Sequence, residues 1–128
     1  MSSERQAVDA PEAPPAIGPY SHAVRVDGLL FCSGQIPLDP ASGELVGETP
    51  GEQARRCMEN LSEVCAAAGT TLQRAVRLTI YTTELGAFAE INDVYGSFFD
   101  DAPPARAAVG VAALPKGALV EIDAVVAL

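Results

Sequence analysis

The chain has 128 residues, 48% apolar and 20% charged, with no tryptophan, a composition that describes one globular domain with a modest core and argues against a disordered or two-domain chain. Eight basic residues against seventeen acidic ones give a formal net charge of −9, and no basic run exceeds Arg55-Arg56. Such a surface repels polyanions, so nucleic acid is not an expected partner, although one desolvated arginine in a pocket would still pair with a small anion.

Met1 to Pro15 lacks the basic start and apolar stretch of a secretory signal, and its prolines predict a flexible arm over residues 1–15 ahead of a domain spanning 16–128. Ala23–Val26 alternates as a strand, and Asp27-Gly28 turns it into Leu29–Cys32, predicting a β-hairpin. Glycines and prolines from Ser33 to Gly51 predict a loop with room for a short strand at Leu45-Val46. Glu52–Ala68 places Ala54, Cys57, Met58, Leu61, Val64 and Cys65 on one helical face, and Gly69 supplies the stop. The three cysteines have no CxxC spacing. They indicate neither a disulfide framework nor a zinc site; Cys57 and Cys65 read as small core residues, Cys32 points inward, and a reducing cytoplasm is expected.

Val76, Leu78 and Ile80 alternate with polar neighbours as a half-buried strand, and Phe88, Ile91, Val94, Tyr95 and Phe98 predict a second helix between Leu85 and Phe99. Arg106–Ala113 and Leu119–Ala127 read as strands joined by a turn at Pro115-Lys116-Gly117. The longest uninterrupted run of apolar residues and glycine, Ala107–Leu114, falls well short of the roughly 20 residues that span a bilayer, so no membrane partner is expected. The order is ββαβαββ. Right-handed crossovers put both helices on one face of a single mixed sheet, an α+β architecture. Valines of both parities in the last two strands predict a second dry face, and no helix remains to cover it, which predicts a homo-oligomer.

Arg106 cannot shed its charge, so it requires an anion, either Glu121 or Asp123 of the last strand or a ligand carboxylate. Glu121 and Asp123, two apart, project to one side. They are either solvated, paired with a cation, or held at a raised pKa suited to proton transfer. Tyr20 and Ser33 bracket the hairpin; each either binds a substrate or serves as a packing residue and a turn cap respectively. His22, the sole histidine, has no triad partner nearby in sequence and reads as a surface residue. No P-loop, HExxH, GxSxG or dinucleotide fingerprint is present.

The segments Ile17-Gly18-Pro19-Tyr20-Ser21, Cys32-Ser33-Gly34-Gln35-Ile36-Pro37-Leu38-Asp39-Pro40, and Pro104-Ala105-Arg106 through Leu114-Pro115-Lys116 to Val120-Glu121-Ile122 resemble the RidA/YjgF family of enamine/imine deaminases, from about Ala16 to the C-terminus. The resemblance implies a chorismate-mutase-like subunit and a homotrimer with ligand clefts between subunits. It also implies hydrolysis of 2-aminoacrylate and related 2-imino or enamino acids to 2-oxo acids and ammonia, with no cofactor and no metal. In that reading Arg106 grips the substrate carboxylate and Glu121 activates water, while Tyr20, Ser33, Asn92 and the backbone near Ala108 line the cleft. Ala108 stands where many relatives carry cysteine, which excludes a thiol role there. Two other readings attach to such relatives: a single-strand endoribonuclease or translation inhibitor, which the charge disfavours, and a non-catalytic 2-oxo-acid-binding module.

Overall fold

Asp27 and Gly28 both take positive φ, 49° and 80°, the backbone that a two-residue hairpin turn with the right strand twist requires. The computed structural model describes residues 4–128 and identifies the hairpin as β2 (Ala23–Val26) and β3 (Leu29–Gln35). Ahead of it lies β1 (Gln6–Val8). After it come α1 (Pro50–Ala67), β4 (Ala75–Thr82), α2 (Phe88–Gly96), β5 (Ala105–Gly110) and β6 (Val120–Ala127). The sheet order is β1-β2-β3-β6-β4-β5, with β4 and β5 parallel and the other pairs antiparallel. This is the α+β mixed sheet expected, with one strand more.

The extra strand corrects the reading of residues 1–15 as a frayed arm. Gln6–Val8 pairs with Ala23–Arg25, and Ala10 and Ala13 are buried in the core. Alternating Ala-Val-Asp-Ala-Pro offers too little periodicity to be recognised as a strand, yet its small side chains fit close against the hairpin. Met1–Ser3 lie outside the described residues. The other boundaries shift modestly: β5 stops at Gly110, and Leu85–Ala87 is a 3₁₀ turn leading into α2. In place of a strand at Leu45-Val46 there is a single Leu38–Leu45 bridge.

β6 alternates strictly. Val120, Ile122, Ala124 and Val126 are buried beneath the helices, whereas Glu121, Asp123, Val125 and Ala127 face the other side. Its partners follow suit, with Leu78 and Ile80 inward and Thr79 and Tyr81 outward on β4. The second face is thus mixed rather than dry: Phe31 and Val125 share it with Arg77, Thr79, Tyr81, Glu121 and Asp123. Among the described residues no helix is long and apolar enough to cross a membrane.

Helix α1 starts in a capping box, Thr49 Oγ1 accepting from Glu52 N–H at 3.1 Å while Glu52 Oε1 accepts from Thr49 N–H at 3.2 Å. Glu90 of α2 accepts from Gly51 N–H at 2.7 Å, locking the two helices together. Two buried polar residues of α1 tether the neighbouring loops. Asn60 Nδ2 donates to the carbonyls of Ile36 and Leu38 (3.3 and 3.0 Å), and Gln53 bridges Gly47 O (3.1 Å) and Leu119 N–H (2.7 Å). These side chains hold the glycine-rich loop and the start of β6 in place, because each buried carbonyl they pair would otherwise lose its bond to water. Asn60→Ala is expected to lower stability by about 1–3 kcal/mol, seen as a lower urea midpoint at unchanged m-value.

Candidate active site

The ladder between β3 and β6 is irregular between Cys32 and Gln35, so Ser33 and Gly34 leave regular pairing just where Glu121 enters β6. There the side chains of Ile17, Tyr20, Ser33, Ile36, Pro115 and Glu121 enclose a cleft of about 240 Å³, with Gly34 in its wall. The Glu121 carboxylate lies directly against the Gly34 α-carbon, and a Cβ at that position would overlap its Oε2 atom. The glycine thus serves close approach rather than an unusual turn, and any larger residue would push the Glu121 carboxylate from this position. Nothing local in the sequence distinguishes Gly34 from the loop glycines that follow.

The hydroxyls of the cleft are already oriented. Ser33 Oγ donates to Ser21 O at 2.6 Å, which leaves its lone pairs for a ligand donor, and Tyr20 Oη accepts from Ile17 N–H at 3.2 Å, which leaves its proton to donate. The Glu121 carboxylate has no hydrogen-bond or ion-pair partner among the described residues. Burial first, and the like charge of Asp123 second, raise its pKa above the ordinary carboxylate value. Asp123, on the same face, instead accepts from Tyr81 Oη at 3.2 Å. The two carboxylates thereby differ, one hydrogen-bonded and one with no such partner.

Arg106 is elsewhere. In the register of the sheet it sits beside Leu78, whereas Glu121 sits beside Tyr81, so the two side chains emerge from opposite faces. The intrachain ion pair left open by the sequence therefore does not form. Instead Arg106 Nη1 donates to Asn92 Oδ1 at 2.7 Å, and its guanidinium lies over the rings of Phe88 (5.2 Å) and Tyr95 (5.0 Å). Asn92 was expected in the cleft and here orients the arginine. Phe88 and Tyr95 read in the sequence as core residues of α2, yet they also form its platform.

Arg106 is exposed in the single chain, and Ala108 lies two residues further along the same face of edge strand β5, also exposed. The six expected residues thus divide into two groups: Tyr20, Ser33 and Glu121 around one cleft, and Arg106, Asn92 and Ala108 at the β5–α2 edge. One feature expected at the surface is internal. His22 is 6% exposed, held beneath the N-terminal segment.

The chain matches the Endoribonuclease L-PSP family over residues 10–128. It is 55% identical over 123 residues to protein DfrA of Myxococcus xanthus, covering 94% of each chain. It is 45% identical over 121 residues to the 2-iminobutanoate/2-iminopropanoate deaminase of Bos taurus, covering 94% of this chain and 88% of the other. The crystal structure of E. coli TdcF with bound serine superposes with a TM-score of 0.91 at 38% identity, covering 96% of this chain and 98% of the other. Matched over residues 10–128 in sequence and over nearly all of its length in fold, this chain belongs to the Endoribonuclease L-PSP family, that is, the RidA/YjgF family.

Proposed function

We propose that this chain hydrolyses 2-imino and enamino acids, such as 2-aminoacrylate, to 2-oxo acids and ammonia in clefts shared between copies of a homotrimer. The observation that carries the reading is Glu121: an unpaired carboxylate of raised pKa, half-buried beside two oriented hydroxyls in a cleft. The deaminase name of the Bos taurus relative supports it, as does serine in the related TdcF structure, an amino acid with a free carboxylate.

The reaction asks little of the protein. The enamine tautomerises to the imine, water adds to its C2 carbon, and the carbinolamine expels ammonia to leave the 2-oxo acid. Glu121 takes a proton from the attacking water and returns one to the departing nitrogen, so no net proton accumulates on the protein. Arg106 holds the substrate carboxylate in a two-pronged pair, with Asn92 and the aromatic rings holding the planar guanidinium in place. Since Arg106 and Glu121 of one chain point to opposite faces, they serve one substrate only when a second copy presents its β5 edge to the Glu121 cleft. The exposed Phe31 and Val109 give that contact apolar area.

The test couples a serine or threonine dehydratase to the purified chain and follows the 2-oxo acid at short times. The expected result is faster appearance of the 2-oxo acid at fixed dehydratase turnover; an unchanged time course overturns the proposal. The family's endoribonuclease name does not weigh against it, because a chain of net charge −9 lacks the basic track that a polyanion requires.

A further inference from the structure

The imidazole of His22 bonds through both nitrogens, and the partners dictate its protonation. Ala10 N–H donates to Nδ1 at 3.0 Å, so that nitrogen carries a lone pair. Nε2 is 2.8 Å from Pro14 O, and a carbonyl only accepts, so Nε2 carries the hydrogen. One neutral ring thereby closes residues 10–14, whose Ala10 and Ala13 are buried, onto the start of the hairpin. Asp9 faces the ring, with Oδ1 3.5 Å from Nδ1 and a side chain 88% exposed.

The same residue meets the candidate site through its main chain. His22 O accepts from Ser33 N–H at 3.0 Å, and Ser21 O accepts from Ser33 Oγ. Between the segment that His22 ties down and His22 itself run Ile17 and Tyr20, which form one wall of the Glu121 cleft and are linked by the Ile17 N–H to Tyr20 Oη bond. Both residues are exposed, 55% and 43%, so packing alone does not hold that wall. It is held at its two ends, at Pro14 and at His22.

We propose that His22 is a positioning residue, its Nε2–H tautomer fixing the Ile17–Tyr20 wall at the distance from Glu121 that substrate binding needs. This rests on the reading of the cleft as a substrate site. Glu121, Gly34 and Arg106 do not depend on the tie, so the effect falls on binding rather than on the chemical step.

The experiment compares His22→Ala and His22→Gln in the full chain, by steady-state kinetics in the dehydratase-coupled assay and by amide hydrogen exchange. His22→Ala is expected to raise KM about tenfold with kcat within about twofold, the scale of one or two lost hydrogen bonds. It should also deprotect residues 10–20 while leaving α1 protected. His22→Gln, whose amide can accept from Ala10 N–H and donate to Pro14 O, should restore both. An unchanged KM in His22→Ala, a fall in kcat alone, a glutamine variant as impaired as the alanine one, or lost protection in α1 overturns the proposal. Absence of turnover in the unaltered chain would instead overturn the deaminase reading, and the exchange measurement would still report on the tie.

Discussion

Arg106→Ala and Glu121→Gln, each at least about 100-fold less active alone, are expected to regain about a quarter of the unaltered rate when mixed equally, unfolded and refolded together. The reason is geometric. A site built from Arg106 of one copy and Glu121 of its neighbour is intact whenever the Glu121→Gln chain supplies the arginine and the Arg106→Ala chain supplies the glutamate. Random assembly produces that pairing at about one interface in four. Arg106 and Glu121 emerge from opposite faces of the sheet, so no single chain can unite them. No recovery on mixing, in a sample shown to have exchanged subunits, would mean that the site lies within one chain. Arg106→Lys should fall between, because a lysine keeps the charge but loses the planar two-pronged pair.

Glu121→Gln should also stabilise the fold at neutral pH. Burial, and then Asp123, raise the Glu121 pKa, so the folded chain holds this proton more tightly than the unfolded chain does. The stabilisation linked to that proton is fully present below the unfolded carboxyl pKa and is lost as pH rises through the raised, folded value. At neutral pH the ionised carboxylate is therefore a burden that glutamine removes. The expected gain is modest, about 2 °C in Tm, because the half-exposed group is screened by water, and it should vanish in acid where Glu121 is protonated. Activity moves the opposite way: a water-activating carboxylate makes kcat/KM rise with pH through that same raised pKa. A lower Tm for Glu121→Gln at neutral pH would show that the carboxylate is a structural partner rather than a poised base.

Much of the fold could be read directly. Asp27-Gly28 admits essentially one turn, the α1 stripe one buried face, and Gly69 one end, because these are properties of a few adjacent residues. The candidate residues were legible by their incongruity: an arginine in an Ala/Val strand and a carboxylate in an apolar one each call for a partner. The N-terminal strand was not legible, since Gln6-Ala7-Val8 has no strand signal of its own and pairs only because β2 offers an edge. Nor was the burial of His22, whose partners Ala10 and Pro14 are backbone groups that no sequence pattern marks.

The sequence by itself determined the α+β order, the acidic surface that repels polyanions, the family, and which charged residues interrupt apolar strands. Only the tertiary structure decided that Arg106 and Glu121 do not meet within the chain. Side-chain direction in a sheet depends on register across three strands, and a shift of one residue at the β6–β4 or β4–β5 pairing would turn Arg106 to the other face. Register is set by packing between segments distant in sequence, and so is the closeness of Gly34 to Glu121, which requires β3 to depart from regular pairing beside β6.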